Sequence, residues 1–228
     1  MHRRLTWNAI GFESKTKLLL EHAHNELSSL SEEPTKKREK VQGLIDELDN
    51  IYTSIGRIKD ELIPKLESIF RVKFKTPELI LLALSRPSLR VIFDNLEKRN
   101  ALLPSNPLRP EEYADLKSVG DAGDALALIG DAILSLAIVE LFWDTSLSTV
   151  GDLTKKRASI ASNQNLAKIC DQWGLMDYRI KRLPVQTEND TKQDRIIHEK
   201  GTLIEAIYGV VYVEFEYGAI TRLVSLLQ

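Results

Sequence analysis

The stretch ALALIGDAILSLAIVELFW, residues 125–143, is apolar almost throughout, yet Asp131 stands near its centre. An isolated ionised carboxylate in an apolar interior is so costly that it stays neutral, pairs with a cation or binds a metal. The rest of the sequence must therefore supply Asp131 with a partner. The run is too long for a strand, and Ala122 to Trp143 reads as one buried helix. Convincing apolar–polar alternation is absent elsewhere, so the expected fold is all-α.

A second anomaly matches the first. In HEKGTLIEAIYGVVYVEF, residues 198–215, Glu205 stands between Leu203-Ile204 and Ala206-Ile207, with Thr202 one turn before it and His198 two turns before. Seven residues on a helix return to nearly the same direction, so Asp124 shares a face with Asp131. Two acids on two apolar helices can meet, and a divalent cation between them would remove their repulsion through the hard oxygen ligands that Mg²⁺ prefers. The alternatives stay open: Asp131 pairs with a nearby Arg or Lys, and Glu205 reaches solvent at a helix edge. His198, a single histidine on a helix face, is left out of the candidate metal site. Between the acidic helices, Lys155, Lys156 and Arg157 follow Gly151-Asp152. Basic residues near a helix N-terminus oppose the macrodipole, which points either to an external anion such as a phosphate backbone or to a solvated charge cluster.

Working outward, the 228 residues allow one medium domain plus an accessory segment, and 43% hydrophobic residues supply a core. Lys and Arg total 31 against 33 Asp and Glu, so any polyanion site must be local. The single cysteine, Cys170, excludes an intrachain disulfide and a cysteine-based zinc site within one chain, and is expected as a buried thiol. Asp131 and Glu140 interrupt the best candidate for a membrane span, and the N-terminus lacks the apolar core of a secretory signal, so a soluble cytoplasmic protein without membrane contact is expected.

Two helices precede the globular region. Glu13 to Leu30 forms the first, Ser31 to Pro34 is a candidate cap, and Val41, Leu44, Leu48, Ile51, Ile55, Ile58 and Leu62 make the narrow apolar seam of the second. This predicts an N-terminal helical hairpin over 1–64, which either packs on the remaining domain or forms a coiled-coil contact with another protein. From 65 to 228 the pattern is globular, with a helix start at Thr76-Pro77-Glu78 and a long loop over 100–120. Two further helices are expected, Thr154 to Leu175 and His198 to Tyr217, separated by the polar loop LPVQTENDTKQD.

Four blocks in order resemble the ribonuclease III family: LESIFRVKFKTPELILLALSRPSL, DALALIGDAIL, GDLTKKRASIASNQNLAKI and GTLIEAIYGVVYVEFEYGAI. The resemblance covers about Leu66 to Leu227 and implies a ribonuclease III endonuclease-domain-like helical fold. The family's E-x-x-E-x-x-G-D signature corresponds here to Asp124, Ala127, Gly130 and Asp131, and its D-x-x-E-A block to Thr202, Glu205 and Ala206. Two usual metal-site acids are thus replaced, in a way similar to the mini-ribonuclease III branch. No double-stranded-RNA-binding domain is expected after Gln228. The resemblance implies Asp131 and Glu205 as ligands of Mg²⁺, with Mn²⁺ as a substitute, Asp124 as an auxiliary catalytic residue, and Lys155, Lys156 and Arg157 as RNA contacts. It further implies a homodimer joined near Leu128 and cleavage of double-stranded or structured RNA, such as a ribosomal precursor. The rival expectation is a non-catalytic RNA-binding or scaffold protein of the same fold.

Overall fold

A computed structural model describes residues 5–31, 35–101, 105–143, 149–183 and 193–228. Among these residues all the regular secondary structure is helical, apart from one isolated backbone bridge between Ser85 and Ile180.

The N-terminal hairpin is formed by α1 (Phe12–Ser29) and α2 (Lys36–Arg57). Residues 32–34 of the expected cap lie outside the described residues; the N-cap of α2 is Thr35, whose hydroxyl accepts from the Arg38 N–H. The buried stripe of α2 is Val41, Ile45, Leu48, Ile51 and Ile55, so the expected seam holds except that Ile45 is buried where Leu44 is only half-buried. The stripe serves two neighbours, because α2 packs against α1 and joins a single continuous core with the rest of the protein. Phe12 meets Phe93 edge to face at 6.4 Å. The Glu78 carboxylate accepts from Trp7 Nε1 at 3.1 Å and from the backbone N–H groups of Ile10 and Phe12 at 2.9 and 2.8 Å. The hairpin's apolar faces are therefore used within this chain.

Nor does Pro64 end the second helix. A π-helical turn, Ile58–Leu62, leads directly into α3 (Ile63–Phe70), with Pro64 in its first turn. Proline lacks an N–H and crowds the preceding turn, and one wide turn accommodates it without breaking the chain direction. Then follow α4 (Pro77–Leu84) and α5 (Leu89–Asn100). The loop expected over 100–120 instead carries α6 (Pro110–Lys117), with proline in its first turn and Glu112 reaching back to the Arg109 N–H. The central helix α7 runs Val119–Leu141. The helix expected over Thr154 to Leu175 is two, α8 (Val150–Ile160) and α9 (Asn163–Trp173), since Ser162 caps a new start by accepting from the Asn165 N–H. The chain ends with α10 (Gln193–Phe215) and α11 (Tyr217–Leu223), and residues 184–192 of the expected polar loop lie outside the described residues.

By length and composition α7 is apolar enough to cross a bilayer, with a mean hydropathy of 1.8. In this fold one of its faces enters the core against α4 and α10. Its contact with α10 is a backbone contact. A Cβ added at Gly130 would lie 1.8 Å from the Glu205 carbonyl oxygen, and one added at Gly209 would lie 2.0 Å from that of Leu126. Glycine weakens a helix interior by roughly 0.5–1 kcal/mol relative to alanine, and here that loss permits an approach no other residue allows. Around this crossing, Phe70, Trp173 and Tyr208 bring α3, α9 and α10 together, with ring centroids 5.2 to 6.4 Å apart.

Gly209→Ala is expected to lower stability by roughly 1–3 kcal/mol, the range for overpacking a close interior contact. Urea unfolding checks this, and an unchanged midpoint would contradict the backbone contact.

Candidate active site

The expectation of a fully buried α7 fails on one side. Leu128 is 72% exposed, Leu136 49% and Trp143 61%, and Ala125 and Ala132 are also exposed. The run is apolar because two faces are apolar, one turned to the core and one outward. Asp131 lies between them and is itself exposed, so its carboxylate is not in an oily interior.

Asp124, Asp131 and Glu205 nonetheless meet in one place. They line an open cleft of about 720 Å³ together with Arg86, Ala127, Leu128, Ser162, Asn163, His198, Glu199 and Thr202. Its walls come from α7, α10 and the α8–α9 junction, with Arg86 entering from the segment after α4. Gly130, beside Asp131 in the chain, touches the backbone of Glu205, so the close helix crossing also sets the two acids side by side. Among the described residues neither carboxylate has an ion pair with lysine or arginine.

The electrostatic consequence falls on Glu205. Its carboxyl is pushed up to about 7, first by burial and then by the charge of Asp131. Two acids sharing a cleft without a cation raise one another's cost of ionisation, which is the condition a bound divalent ion relieves. Mg²⁺ keeps several of its waters and is held by one or two carboxylates plus substrate phosphates, so this pair fits such an ion. Among the described residues no group of three or more His, Cys, Asp or Glu is placed to hold a metal, consistent with Ala127 and Thr202 contributing no carboxylate.

The basic cluster differs from expectation. The helix α8 starts at Val150, with Thr149 accepting from the Asp152 N–H at 3.1 Å. Lys155 therefore sits at its midpoint and Lys156 and Arg157 beyond it, with Arg157 in the last turn, so the argument from an opposed dipole does not apply. All three are exposed. Arg157 Nη1 donates to Ser135 Oγ at 3.3 Å, one turn beyond Asp131 on α7, and the Lys156 ammonium lies 4.5 Å from the Phe142 ring centroid. These contacts seat the cluster beside the cleft-bearing helix.

Four polar cleft residues, Arg86, Ser162, Asn163 and Glu199, escaped the sequence reading. Arg86 is 8% exposed, and its Nη2 donates to the Ala83 carbonyl at 2.9 Å while Nε is buried without a partner among the described residues. Asn163 Nδ2 and His198 Nδ1 lie 3.4 Å apart, and Glu199 pairs with Arg179 at 2.7 Å. Arg86 had the same signal as Asp131, a charge closing an apolar run, LILLALSR. Cys170 is buried as expected, its thiol pushed up to about 12 chiefly by burial.

Residues 124–216, which hold both acids, match the family profile described as the ribonuclease III domain. By this match the segment is similar to a ribonuclease III domain. It is 25% identical over 158 residues to ribonuclease 3 of Campylobacter jejuni subsp. jejuni, covering 68% of this chain and 57% of that protein. Ribonuclease 3 of Natranaerobius thermophilus is 33% identical over 112 residues, covering 47% of this chain and 46% of its own length. The chain thus spans about half the length of these curated relatives. A solved nuclease domain of ribonuclease III from Campylobacter jejuni superposes with a TM-score of 0.49 at 23% identity, covering 72% of this chain and 94% of that one. The α7–α10 crossing and its two carboxylates lie inside the segment that matches the family profile, whereas the N-terminal hairpin lies outside it.

The raised Glu205 predicts a specific pH response. From the ordinary value of 4.5 up to about 7, the folded protein retains a proton that the unfolded chain has lost, so this group makes metal-free stability fall as pH rises through that window. Glu205→Gln removes the titration. The melting temperature of the variant minus that of wild type, measured in chelator, should grow with pH across the window, and saturating Mg²⁺ should shrink the difference at pH 8. A difference constant with pH would contradict the assignment.

Proposed function

We propose that this protein is a Mg²⁺-dependent endoribonuclease that cleaves double-stranded or structured RNA, with a metal site resembling that of the mini-ribonuclease III branch at Ala127 and Thr202. The observation that carries this reading is the convergence of two carboxylates without ion pairs, Asp131 and Glu205, in one cleft of the ribonuclease III domain. In this reading Asp131 and Glu205 hold the ion, and Asp124 is auxiliary. The ion would supply Lewis acidity at a phosphodiester and lower the pKa of a bound water. The exposed Lys155, Lys156 and Arg157 meet backbone phosphates that flank the cleft, so a chain of net charge −2 binds a polyanion through a local patch. A-form RNA, recognised by shape and phosphate positions, suits an open cleft of this kind. A ribosomal precursor in the cytoplasm is the proposed substrate and setting, by family analogy.

The outward stripe of Ala125, Leu128, Ala132 and Leu136 supports a homodimer. A single helix face laid against its own copy across a two-fold axis is self-complementary and buries apolar surface that one protomer leaves in water. Leu128→Lys should therefore yield a monomer by light scattering; an unchanged mass would contradict this interface.

A second reading has its own support. With Ala127 and Thr202 in place of acids and no group of three metal ligands among the described residues, a non-catalytic RNA-binding or scaffold protein of this fold is the alternative. Incubation of purified protein with long duplex RNA in Mg²⁺ separates the two. Cleavage by wild type that falls about a hundredfold in Asp131→Asn and in Glu205→Gln, equivalent to ~2.7 kcal/mol of transition-state stabilisation, supports the enzyme. Binding without cleavage in Mg²⁺ or Mn²⁺ supports the alternative.

A further inference from the structure

Arg86 lines the cleft, and the proposed metal pair leaves its state unexplained. A guanidinium offers five N–H donors, and among the described residues a single side-chain hydrogen bond is made, from Nη2 to the Ala83 carbonyl. The side chain is more than nine-tenths buried, yet it lines the cleft that holds Asp131 and Glu205. Buried cations are paired or hydrogen-bonded because the alternative is costly. The charges of Asp124 and Glu199 act on Arg86 through space, but among the described residues no carboxylate lies within ion-pair distance of it, and Glu199 is engaged by Arg179. The fold thus keeps a cation at the cleft wall with donors in excess of its partners.

We infer that Arg86 is a substrate contact that donates to a non-bridging phosphate oxygen of the RNA backbone, placing a fixed positive charge in the cleft beside the Asp131–Glu205 pair. The inference rests on reading this cleft as an RNA site and adds a residue to it. Its chemistry follows from the same positions that reduce the acid count. Where the family's motif has two more acids, this cleft has Ala127 and Thr202, so Arg86 faces fewer competing carboxylates and a phosphate meets less repulsion. Arginine suits the task because its planar fork matches phosphate oxygens and stays charged when buried.

The test uses full-length protein carrying Asp131→Asn, which permits equilibrium binding of an intact RNA duplex in Mg²⁺. Adding Arg86→Gln should weaken binding about tenfold and reduce the slope of log Kd against log salt by about one, the signature of one lost phosphate contact. Adding Arg86→Lys, which keeps the charge but not the fork, should retain the slope and weaken binding by less. Addition of duplex should also shift the Arg86 guanidinium resonances in the Asp131→Asn protein, a measurement that needs no substitution at Arg86. Unchanged affinity and slope in Arg86→Gln with RNA still bound, or unshifted resonances, would overturn the Arg86 contact while leaving the RNA site intact. Failure of the Asp131→Asn and wild-type proteins to bind any duplex would overturn both.

Discussion

The structure depends on a backbone contact between two helices. At Gly130 and Gly209 the central helix and α10 approach until carbonyl oxygens occupy the space where a Cβ would stand. No side chain can mediate such a contact, so the crossing is fixed by what these residues lack. Its consequence reaches the cleft directly, because the carbonyl that excludes a Cβ at Gly130 belongs to Glu205, and Gly130 precedes Asp131. Tight packing and paired acids are thus one feature, which explains why a helix carrying so much apolar surface also carries a carboxylate.

That carboxylate sits on a boundary. The inward face of α7, with Leu126, Leu134 and Ile138, is buried in the core, whereas Leu128 and Leu136 point out. Hydrophobic burial stabilises only the first face within one chain, at roughly 25 cal/mol per Å² of apolar area. The second stays in water in a single protomer, and it is the surface on which the proposed homodimer rests. Asp131, between the two, keeps its charge hydrated while facing Glu205 across the cleft.

The N-terminal hairpin has a different relation to the rest. Its apolar residues are spent on the shared core, and two polar anchors cross to distant segments: Glu78 takes the N–H groups at the start of α1, and Lys15 pairs with Asp115 at 2.8 Å; within the N-terminal unit, Lys59 pairs with Glu13 at 2.8 Å. An exposed ion pair such as Lys59–Glu13 contributes little individually. The buried seam from Val41 to Leu62 is what holds the hairpin in place, and it joins the same core that positions α4, α7 and α10.

Much of this was legible in the residues themselves. Periodicity marked the hairpin and the helical class, and two carboxylates breaking apolar runs marked Asp131 and Glu205, because a charge in such a run always needs an account. Other features depended on context beyond any local window. Whether an apolar face of α7 turns inward or outward is decided by what packs on it, so the carboxylate read as buried is exposed. The direction of the dipole argument at Lys155 to Arg157 depended on where α8 begins, which Thr149 decides through its cap. Arg86 carried a local signal, but its place beside the acids arises from the return of the chain after α4 to the α7–α10 crossing. Composition and spacing determined which groups required partners; only the tertiary structure decided which partners they received, because burial and approach are set by helices distant in the chain.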